Sequence, residues 1–302
     1  MIETFRNREN AMSNSNVQRF NSRQHMVSHT FEIYHYCDAY LNEVALHHHD
    51  FYEIYYFMNG SVNYIIEGRT YNLSPGDMLL ISPSELHQPL FLAEKTVYER
   101  IVLWIDKQFL EQYITNDVSL TRCFDVGDPN HTNLLRLNAN QRQRMSGLLE
   151  RLLEENNTTA YGRELMMNGL LIEFLVELNR LYITGPAPGE PVNRSAPLID
   201  KVLDHINVHY SEPLTVESLA AQFFVSKYYL LHEFKQHVGT SVYHYIIQRR
   251  LIVARQMLAS GTAPSSVYQK CGFGDYANFY RAFKSAYHVS PKEYMDGSRN
   301  EA

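Results

Sequence analysis

The sequence predicts an α+β protein of two domains: a β-barrel with a helical pair, then an all-α domain of two helix-turn-helix units. Three patterns predict this fold class. Short runs of β-branched and aromatic residues alternate with turn residues over 29–105. Two apolar stripes with helical spacing follow over 139–183. The last hundred residues then carry the same helix–turn–helix pattern twice.

Composition shifts mark the domain boundaries. The first 24 residues are polar and rich in Asn, Arg and Ser, which favours a flexible arm, and the Pro/Gly-rich run 184–191 is typical of a linker. A chain of 302 residues has room for two domains. We divide it into a flexible arm (1–28), a barrel (29–135), a helical pair (136–183), a linker (184–196), a twin helix-turn-helix domain (197–296) and a tail (297–302).

The strands of the barrel are separated by turn sequences. Asn59-Gly60 and Glu67-Gly68 are typical of two-residue hairpins, and Ser74-Pro75-Gly76-Asp77 is a further turn. Many short strands with regular turns indicate a barrel or a sandwich. Strands are predicted over 31–36, 52–57, 62–66, 77–81 and 98–104.

The first helix-turn-helix unit begins near Thr215, a predicted N-cap. Ser226 is the predicted N-cap of its second helix, on which Leu230 and Phe234, four residues apart, form the buried face. The remaining faces are free to meet DNA. They carry Lys227, Tyr228, Leu231, His232 and Lys235.

The second unit repeats this arrangement about fifty residues later. Asp275 is the predicted N-cap, and Phe279 and Phe283 repeat the apolar spacing. The other faces carry Tyr276, Asn278, Tyr280, Arg281 and Lys284. Between the units, residues 245–258 predict a long helix with one apolar stripe that holds the units at a fixed separation.

Residues 198–295 resemble the DNA-binding domain of the AraC/XylS family of transcription regulators. The resemblance rests on motifs such as Ser226-x-x-Tyr229-Leu230-x-x-x-Phe234-Lys235, Gly272-Phe273-x-Asp275 and Ser290-Pro291-x-x-Tyr294. In that family the second helix of each unit enters the major groove. The resemblance implies that the residues facing bases are Tyr228, Leu231 and His232 in the first unit and Tyr276, Ala277, Asn278, Tyr280 and Arg281 in the second.

Some positions depart from the family pattern. Leu231 and His232 stand where the family usually has a small polar residue and an arginine, so readout by the first unit is expected to use thymine methyl groups and DNA shape. Arg281 is the best candidate for a bidentate contact to guanine. The alternative for Arg281 is a phosphate contact.

The charge is unevenly distributed. Residues 1–194 hold 16 basic and 24 acidic side chains (16 − 24 = −8), and residues 195–302 hold 11 and 9 (11 − 9 = +2). Since phosphate neutralisation supplies most nonspecific DNA affinity, that affinity is expected to be modest. The acidic N-terminal part is expected to stay off the DNA.

The chain also points to a compartment. Cys37, Cys123 and Cys271 are far apart and match no zinc or redox spacing. No run of eighteen apolar residues is present, and the N-terminus lacks the apolar core of a signal peptide. We expect a cytoplasmic protein without membrane contact.

The barrel carries a histidine constellation. His47-x-His49-x-x-x-Glu53, with Gly60, Gly76-Asp77 and His87, resembles the cupin barrel, although Leu41 replaces a usual glycine. Alternation on a strand is expected to aim His47 and His49 inward, with His87 on a facing strand. Two uses remain open: these four side chains line a polar pocket and hydrogen-bond a ligand without a cofactor, or they bind a divalent transition metal.

A barrel of this kind has a mouth that fits one small molecule. The candidate lining residues besides the histidines and Glu53 are Tyr52, Tyr55, Tyr64 and Trp104. Aromatic rings with polar edges suit a sugar or a similar polar ring.

The helical pair has two possible uses. Stripes that include Leu148, Leu152, Leu171 and Leu178 predict an antiparallel pair, broken at 156–159. In the resembling family such a pair is where two copies dimerise. The alternative is that both stripes pack on their own barrel.

These patterns predict a ligand-responsive, sequence-specific transcription regulator rather than an enzyme. The resemblance implies an activator that works as a homodimer with double-stranded DNA, a small-molecule effector and RNA polymerase as partners. One rival is a metal-dependent cupin enzyme, such as an isomerase or dioxygenase, fused to a DNA-targeting module. Another is an architectural DNA-binding protein, which leaves the barrel unexplained.

Overall fold

The computed structural model describes residues 17–18, 25–39, 41, 43–93, 96–114, 118–128, 130–184 and 197–300. Nearly all of the predicted linker, the last two residues of the tail and most of the predicted arm lie outside the described residues. Within the arm, Val17 and Gln18 form a short strand that pairs in parallel with the first strand of the barrel.

The N-terminal part consists of two sheets with an apolar core between them. The larger sheet has the strand order β1-β2-β8-β3-β6-β9 and the smaller has β5-β4-β7. Side chains from both sheets, such as Phe57 and Ile66, are fully buried in this core. The strands are β1 (Val17–Gln18), β2 (Phe31–Asp38), β3 (Tyr52–Asn59), β4 (Val62–Ile66), β5 (Arg69–Asn72), β6 (Met78–Ile81), β7 (His87–Phe91), β8 (Tyr98–Ile105) and β9 (Leu134–Leu135).

All five predicted strands are present, and their ends agree within two residues. Strands β1, β5, β7 and β9 were not predicted. The turns form as expected: Glu67 and Gly68 both have positive φ, at 47° and 75°, and Asp77 N donates to Ser74 O at 2.9 Å.

A helical layer covers the outer face of the larger sheet. It comprises α1 (Lys107–Glu111), a 3₁₀ turn (Arg122–Phe124), α2 (Ala139–Asn156) and α3 (Arg163–Thr184). The apolar stripes of α2 and α3 are buried in one cluster with residues of that sheet, such as Leu103. Both stripes therefore pack on their own barrel, as one of the two alternatives predicts.

The C-terminal part is all-helical. Its helices are α4 (Pro197–His209), α5 (Val216–Gln222), α6 (Lys227–Val238), α7 (Val242–Ala259), α8 (Pro264–Lys270), α9 (Tyr276–Tyr287) and α10 (Pro291–Asn300). Two cores divide these helices into two units. Helix α7 contributes Tyr245 and Ile246 to the first core and Ala254 and Leu258 to the second, so it connects the two units as predicted.

The predicted helix starts are confirmed. Thr215 and Ser218 form a capping box at α5. The side chain of Ser226 accepts from Tyr229 N at the start of α6, and that of Asp275 accepts from Asn278 N at the start of α9. These caps fix where each second helix begins, and hence which side chains lie in its first exposed turns. No helix in the described ranges is long and apolar enough to cross a bilayer.

Candidate functional site

Helices α6 and α9 present matching faces. On each helix the two apolar residues predicted to be buried are fully buried, Leu230 and Phe234 on α6 and Phe279 and Phe283 on α9. Most of the predicted base-facing and flanking residues are exposed. The exposed residues are Lys227, Tyr228, His232 and Lys235 on α6, and Tyr276, Ala277, Asn278, Arg281 and Lys284 on α9.

Two predicted contact residues are less accessible. Leu231 is half-buried and packs against the core of the first unit. Tyr280 is half-buried on α9, and the Lys284 ammonium lies 5.9 Å from its ring centroid. Only part of each side chain is left for a partner, so Tyr228 and His232 offer the freer surface on α6.

Polar contacts order the exposed residues of α9. Arg281 Nη2 lies 2.6 Å from Asn278 Oδ1, and the Asn278 amide in turn contacts the Asp275 carboxylate. Lys227 on α6 pairs with Glu217 on α5, which raises the pKa of Lys227 through that hydrogen bond. These groups are exposed, so the contacts restrain side-chain direction more than they stabilise the fold.

The barrel encloses a cavity of about 200 Å³ between its sheets. Strands β2, β3, β4, β7 and β8 and the segment 43–49 supply its wall. The wall includes Tyr36, His47, His49, Glu53, Tyr55, Tyr64, Tyr98, Arg100 and Trp104.

Glu53 is the central polar group of this wall. Its Oε2 accepts from Trp104 Nε1 at 3.0 Å and lies 2.9 Å from His49 Nε2. Arg100 is buried on the same wall, where its guanidinium pairs with Asp38 at 2.5 Å and lies 4.2 Å from the Tyr98 ring centroid. The two buried charged groups of the wall, Glu53 and Arg100, therefore each have hydrogen-bond partners.

The histidines form a close cluster. The ligand atoms of His49, Glu53 and His87 lie within 4.8 Å of one another. The ring of His47 packs edge-on against His87, with centroids 4.3 Å apart, but His47 is not part of that group of three. Burial lowers the pKa of His49 to about 3 and lowers the pKa values of His47 and His87, so the imidazoles are neutral near pH 7.

One atom of this cluster lacks a protein partner. His87 Nδ1 lies 2.8 Å from the Glu85 carbonyl, whereas the buried Nε2 has no hydrogen-bond partner. A neutral imidazole with a free nitrogen beside a carboxylate is suited to accept from a ligand or to bind a divalent transition metal. His49, Glu53 and His87 thus fit both a hydrogen-bonded ligand and a divalent transition metal.

Two sequence expectations about the cavity were wrong. His47 and His49 do not lie on a strand: His47 makes a single isolated bridge with His87, and the surrounding segment is irregular. Tyr52 does not line the cavity, because side chains alternate along β3 and its ring packs on the helical side, 4.7 Å from that of Phe124.

Among the cavity residues that the sequence reasoning missed are Tyr36, Tyr98 and Arg100. The same alternation provides the signal that finds two of them. Tyr98 and Arg100 precede Trp104 on β8 by even numbers of residues, so a strand that aims Trp104 inward aims all three inward.

Comparisons with known proteins match two parts of the chain. Residues 32–158 match the family described as AraC-like ligand binding domain, and residues 219–297 match a helix-turn-helix domain family. The HTH-type transcriptional activator RhaS of Salmonella schwarzengrund (strain CVM19633) is 27% identical over 253 residues, which are 83% of this chain and 87% of that protein. RhaS of Salmonella typhimurium (strain LT2) gives the same identity and coverage.

Two solved structures are similar to this chain. The C-terminal domain of AraT, a response regulator from Geobacillus stearothermophilus, is 32% identical, with a TM-score of 0.34; the match covers 35% of this chain and 88% of that one. A single-residue variant of ToxT from Vibrio cholerae, in its apo form, is 15% identical, with a TM-score of 0.39, and the match covers 88% of this chain and 97% of that one.

The two matched recognition helices and the cavity of the barrel define a DNA-binding regulator with a ligand-binding barrel. The chain belongs to the AraC family of transcription regulators.

Proposed function

We propose that this chain is a cytoplasmic transcription activator whose two recognition helices read successive major-groove segments under the control of a small polar effector. The observation that carries the proposal is the matched pair α6 and α9, each capped at its start, buried on one face and exposed on the other. One such helix fits one major groove, and two on one duplex face are expected about 34 Å apart. Three unpaired cysteines support a reducing compartment.

The readout is tested with the full chain. A duplex selected from a random pool is compared with unselected DNA for the wild type, Arg281→Ala and the matched control Arg180→Ala on α3. We expect Arg281→Ala to lose about 1–3 kcal/mol of discrimination and the control to lose none. If Arg281→Ala weakened binding to the selected duplex and to unselected DNA equally, Arg281 would contact a phosphate and not a base.

The cavity supports an uncharged, ring-shaped effector such as a sugar. Arg100 pairs with Asp38, and Glu53 is hydrogen-bonded by His49 and Trp104, so these two buried groups of the wall do not require an ionic ligand. The remaining charged residue of the lining, Glu43, is exposed. Aromatic rings with hydroxyl groups supply stacking faces and hydrogen bonds. A cavity of about 200 Å³ suits a small molecule of this kind.

Trp104 offers a direct assay, because it is the single tryptophan of the chain and lies on the cavity wall. Monosaccharides are titrated in parallel with aromatic carboxylates, and both emission and melting temperature are followed. A monosaccharide that binds the folded chain raises the melting temperature and changes Trp104 emission. Stabilisation by the carboxylates alone would contradict an uncharged effector.

A second use of the cavity is a divalent transition metal held by His49, Glu53 and His87. The free His87 Nε2 favours it. When bound, such an ion supplies a Lewis-acidic anchor for an oxygen of the effector. Elemental analysis of the wild type and His87→Gln tests this role: a metal that is stoichiometric in the wild type and absent from the variant supports it, and a metal-free wild type contradicts it.

We further propose that the regulator is a homodimer that activates RNA polymerase and does not catalyse a reaction. The relatives named transcriptional activator support activation. Exposed apolar residues at the start of α3 and just before it, Leu165, Met166 and Tyr161, offer a surface for a second copy. A reporter downstream of the selected site tests activation, and sedimentation of the wild type against Leu165→Ser tests the dimer.

A further inference from the structure

Two short segments of the barrel meet at one point. His47 N donates to His87 O at 3.1 Å and His87 N donates to His47 O at 2.9 Å, which joins residues 46–49 to residues 85–88. We call these residues the bridged segments. The imidazoles of His47 and His49 line the cavity. The His87 ring is not part of the lining but lies beside His49 and Glu53.

The opposite side of the bridged segments belongs to the DNA-binding part. Leu46 and Leu86, which alternate with His47 and His87, are buried in the core of the first helix-turn-helix unit together with residues such as Ile206. Neighbouring residues of an extended segment point to opposite sides. The bridged segments therefore contribute His47 and His49 to the cavity wall and Leu46 and Leu86 to the core of a recognition unit.

The bridged segments also contact the C-terminal ends of both recognition helices. Gln88 Nε2 donates to Val238 O at 3.1 Å, at the last residue of α6. His48 Nε2 lies 2.9 Å from Tyr287 Oη, at the last residue of α9. These two contacts connect one small region of the barrel to both DNA-reading helices.

A third contact fixes the helix between the units. The Glu67 carboxylate accepts hydrogen bonds from Leu86 N at 2.8 Å, Arg249 Nη1 at 3.1 Å and Tyr245 Oη at 3.1 Å. Arg249 and Tyr245 lie on α7, so the barrel holds the connecting helix beside the bridge. Glu67 and Arg249 are half-buried, and their charge-assisted hydrogen bonds give the contact a defined geometry.

We propose that the bridged segments transmit occupancy of the cavity to the relative orientation of α6 and α9. The proposal rests on the function proposed above, since it names how that cavity controls DNA binding. An effector that displaces the His47 or His87 ring moves Leu46, His48, Leu86 and Gln88 with it, because the two segments share backbone hydrogen bonds. Control requires that the effector bind one arrangement of the helices better than another.

Hydrogen exchange of the full chain, without DNA or effector, tests this coupling. The readout is the exchange rate of amides in the last turns of α6 and α9, compared with global stability measured separately. Gln88→Ala removes the bond to Val238, and His47→Ala changes only the cavity side. The matched controls are Gln108→Ala, at an exposed glutamine of the barrel, and His131→Ala, at a half-buried histidine outside the cavity.

We expect Gln88→Ala to speed exchange at the end of α6 about two- to tenfold, the equivalent of one lost hydrogen bond. We expect His47→Ala to change the amide exchange rate at the end of α6 or α9 by more than about twofold, the change that corresponds to one weak hydrogen bond. We expect both control variants to change this rate by less than about twofold. The coupling is refuted if His47→Ala changes the amide exchange rates at the ends of both helices by less than about twofold. It is also refuted if Gln88→Ala does so. DNA selectivity is measured separately, so the coupling and the proposed function fail independently.

Discussion

Arg281 and Asn278 lie one turn apart on the second recognition helix, with the guanidinium Nη2 2.6 Å from the amide oxygen. Asp275, the N-cap of the same helix, contacts the other end of that amide. The capping residue therefore restrains, through Asn278, the direction of the most specific DNA-reading candidate. Restraint before binding lowers the side-chain entropy lost on binding.

Asn278→Ala is expected to lower discrimination between the selected duplex and random DNA by about 0.5–1.5 kcal/mol, the net worth of a hydrogen bond. Arg281→Ala should cost more, because it removes the proposed base contact itself. Competition binding with the full chain measures both, with Ser285→Ala as the control at an exposed position of the same helix. An Asn278→Ala variant with unchanged discrimination would mean that Arg281 is not restrained in this way.

The helical pair makes a second prediction. Leu171 on α3 is fully buried against the larger sheet, whereas Leu165, six residues earlier, is 80% exposed. Leu171→Ala is expected to lower the free energy of unfolding by about 2–5 kcal/mol, and Leu165→Ala by no more than about 0.5 kcal/mol. Urea unfolding of the full chain measures both. Similar values for the two variants would contradict packing of the stripe on its own barrel.

The sequence predicted the helices better than the cavity. Local signals define a helix: Ser226 and Asp275 mark the starts of α6 and α9, and the four-residue apolar spacing marks the buried face. These signals need no distant partner. The DNA-facing residues followed directly from them, apart from the partial burial of Leu231 and Tyr280.

Cavity and interdomain residues depend on distant parts of the chain. The irregular segment around His47 is held by a bridge to His87, forty residues later, and by the hydrogen bond from Ser84 N to His49 O. No local pattern encodes these distant contacts. Glu67 was predicted only as a turn residue, and its contacts with α7 lie about 180 residues away. Strand β7, which begins at His87, has few β-branched residues and was missed for that reason.

The three cysteines make a third prediction, on reactivity. Burial raises the pKa of the Cys123 thiol and raises the pKa of Cys271 to about 11, and both side chains are fully buried. Burial raises the pKa of Cys37 as well, but Cys37 is half-buried. Only an accessible thiolate reacts with a disulfide reagent. We therefore expect at most one cysteine to react at pH 8 in the folded chain, and all three to react after unfolding. Cys37→Ser should abolish the native reaction; two or more reactive thiols in the folded chain would contradict the burial of Cys123 and Cys271.

Gly239 makes a fourth prediction, because it meets two separate requirements. It ends α6 with a φ of 76°, where a residue with a Cβ costs about 1–2 kcal/mol. A Cβ at this position would also lie 1.9 Å from Gln88 Nε2 of the barrel. Gly239→Ala should therefore destabilise the chain through both effects. In a Gln88→Ala background the backbone effect should remain, together with a smaller contact to Ile65 Cδ1 at 3.3 Å.

A double-mutant cycle with Gln88→Ala separates the two effects. We expect Gly239→Ala to cost less in the Gln88→Ala background than in the wild type, by an amount that measures the close approach of barrel and recognition unit. Gly274→Ala, at a glycine with open space around it, is the control and should be nearly neutral by comparison. Equal costs of Gly239→Ala in the two backgrounds would show that Gln88 and the end of α6 are not in contact in solution.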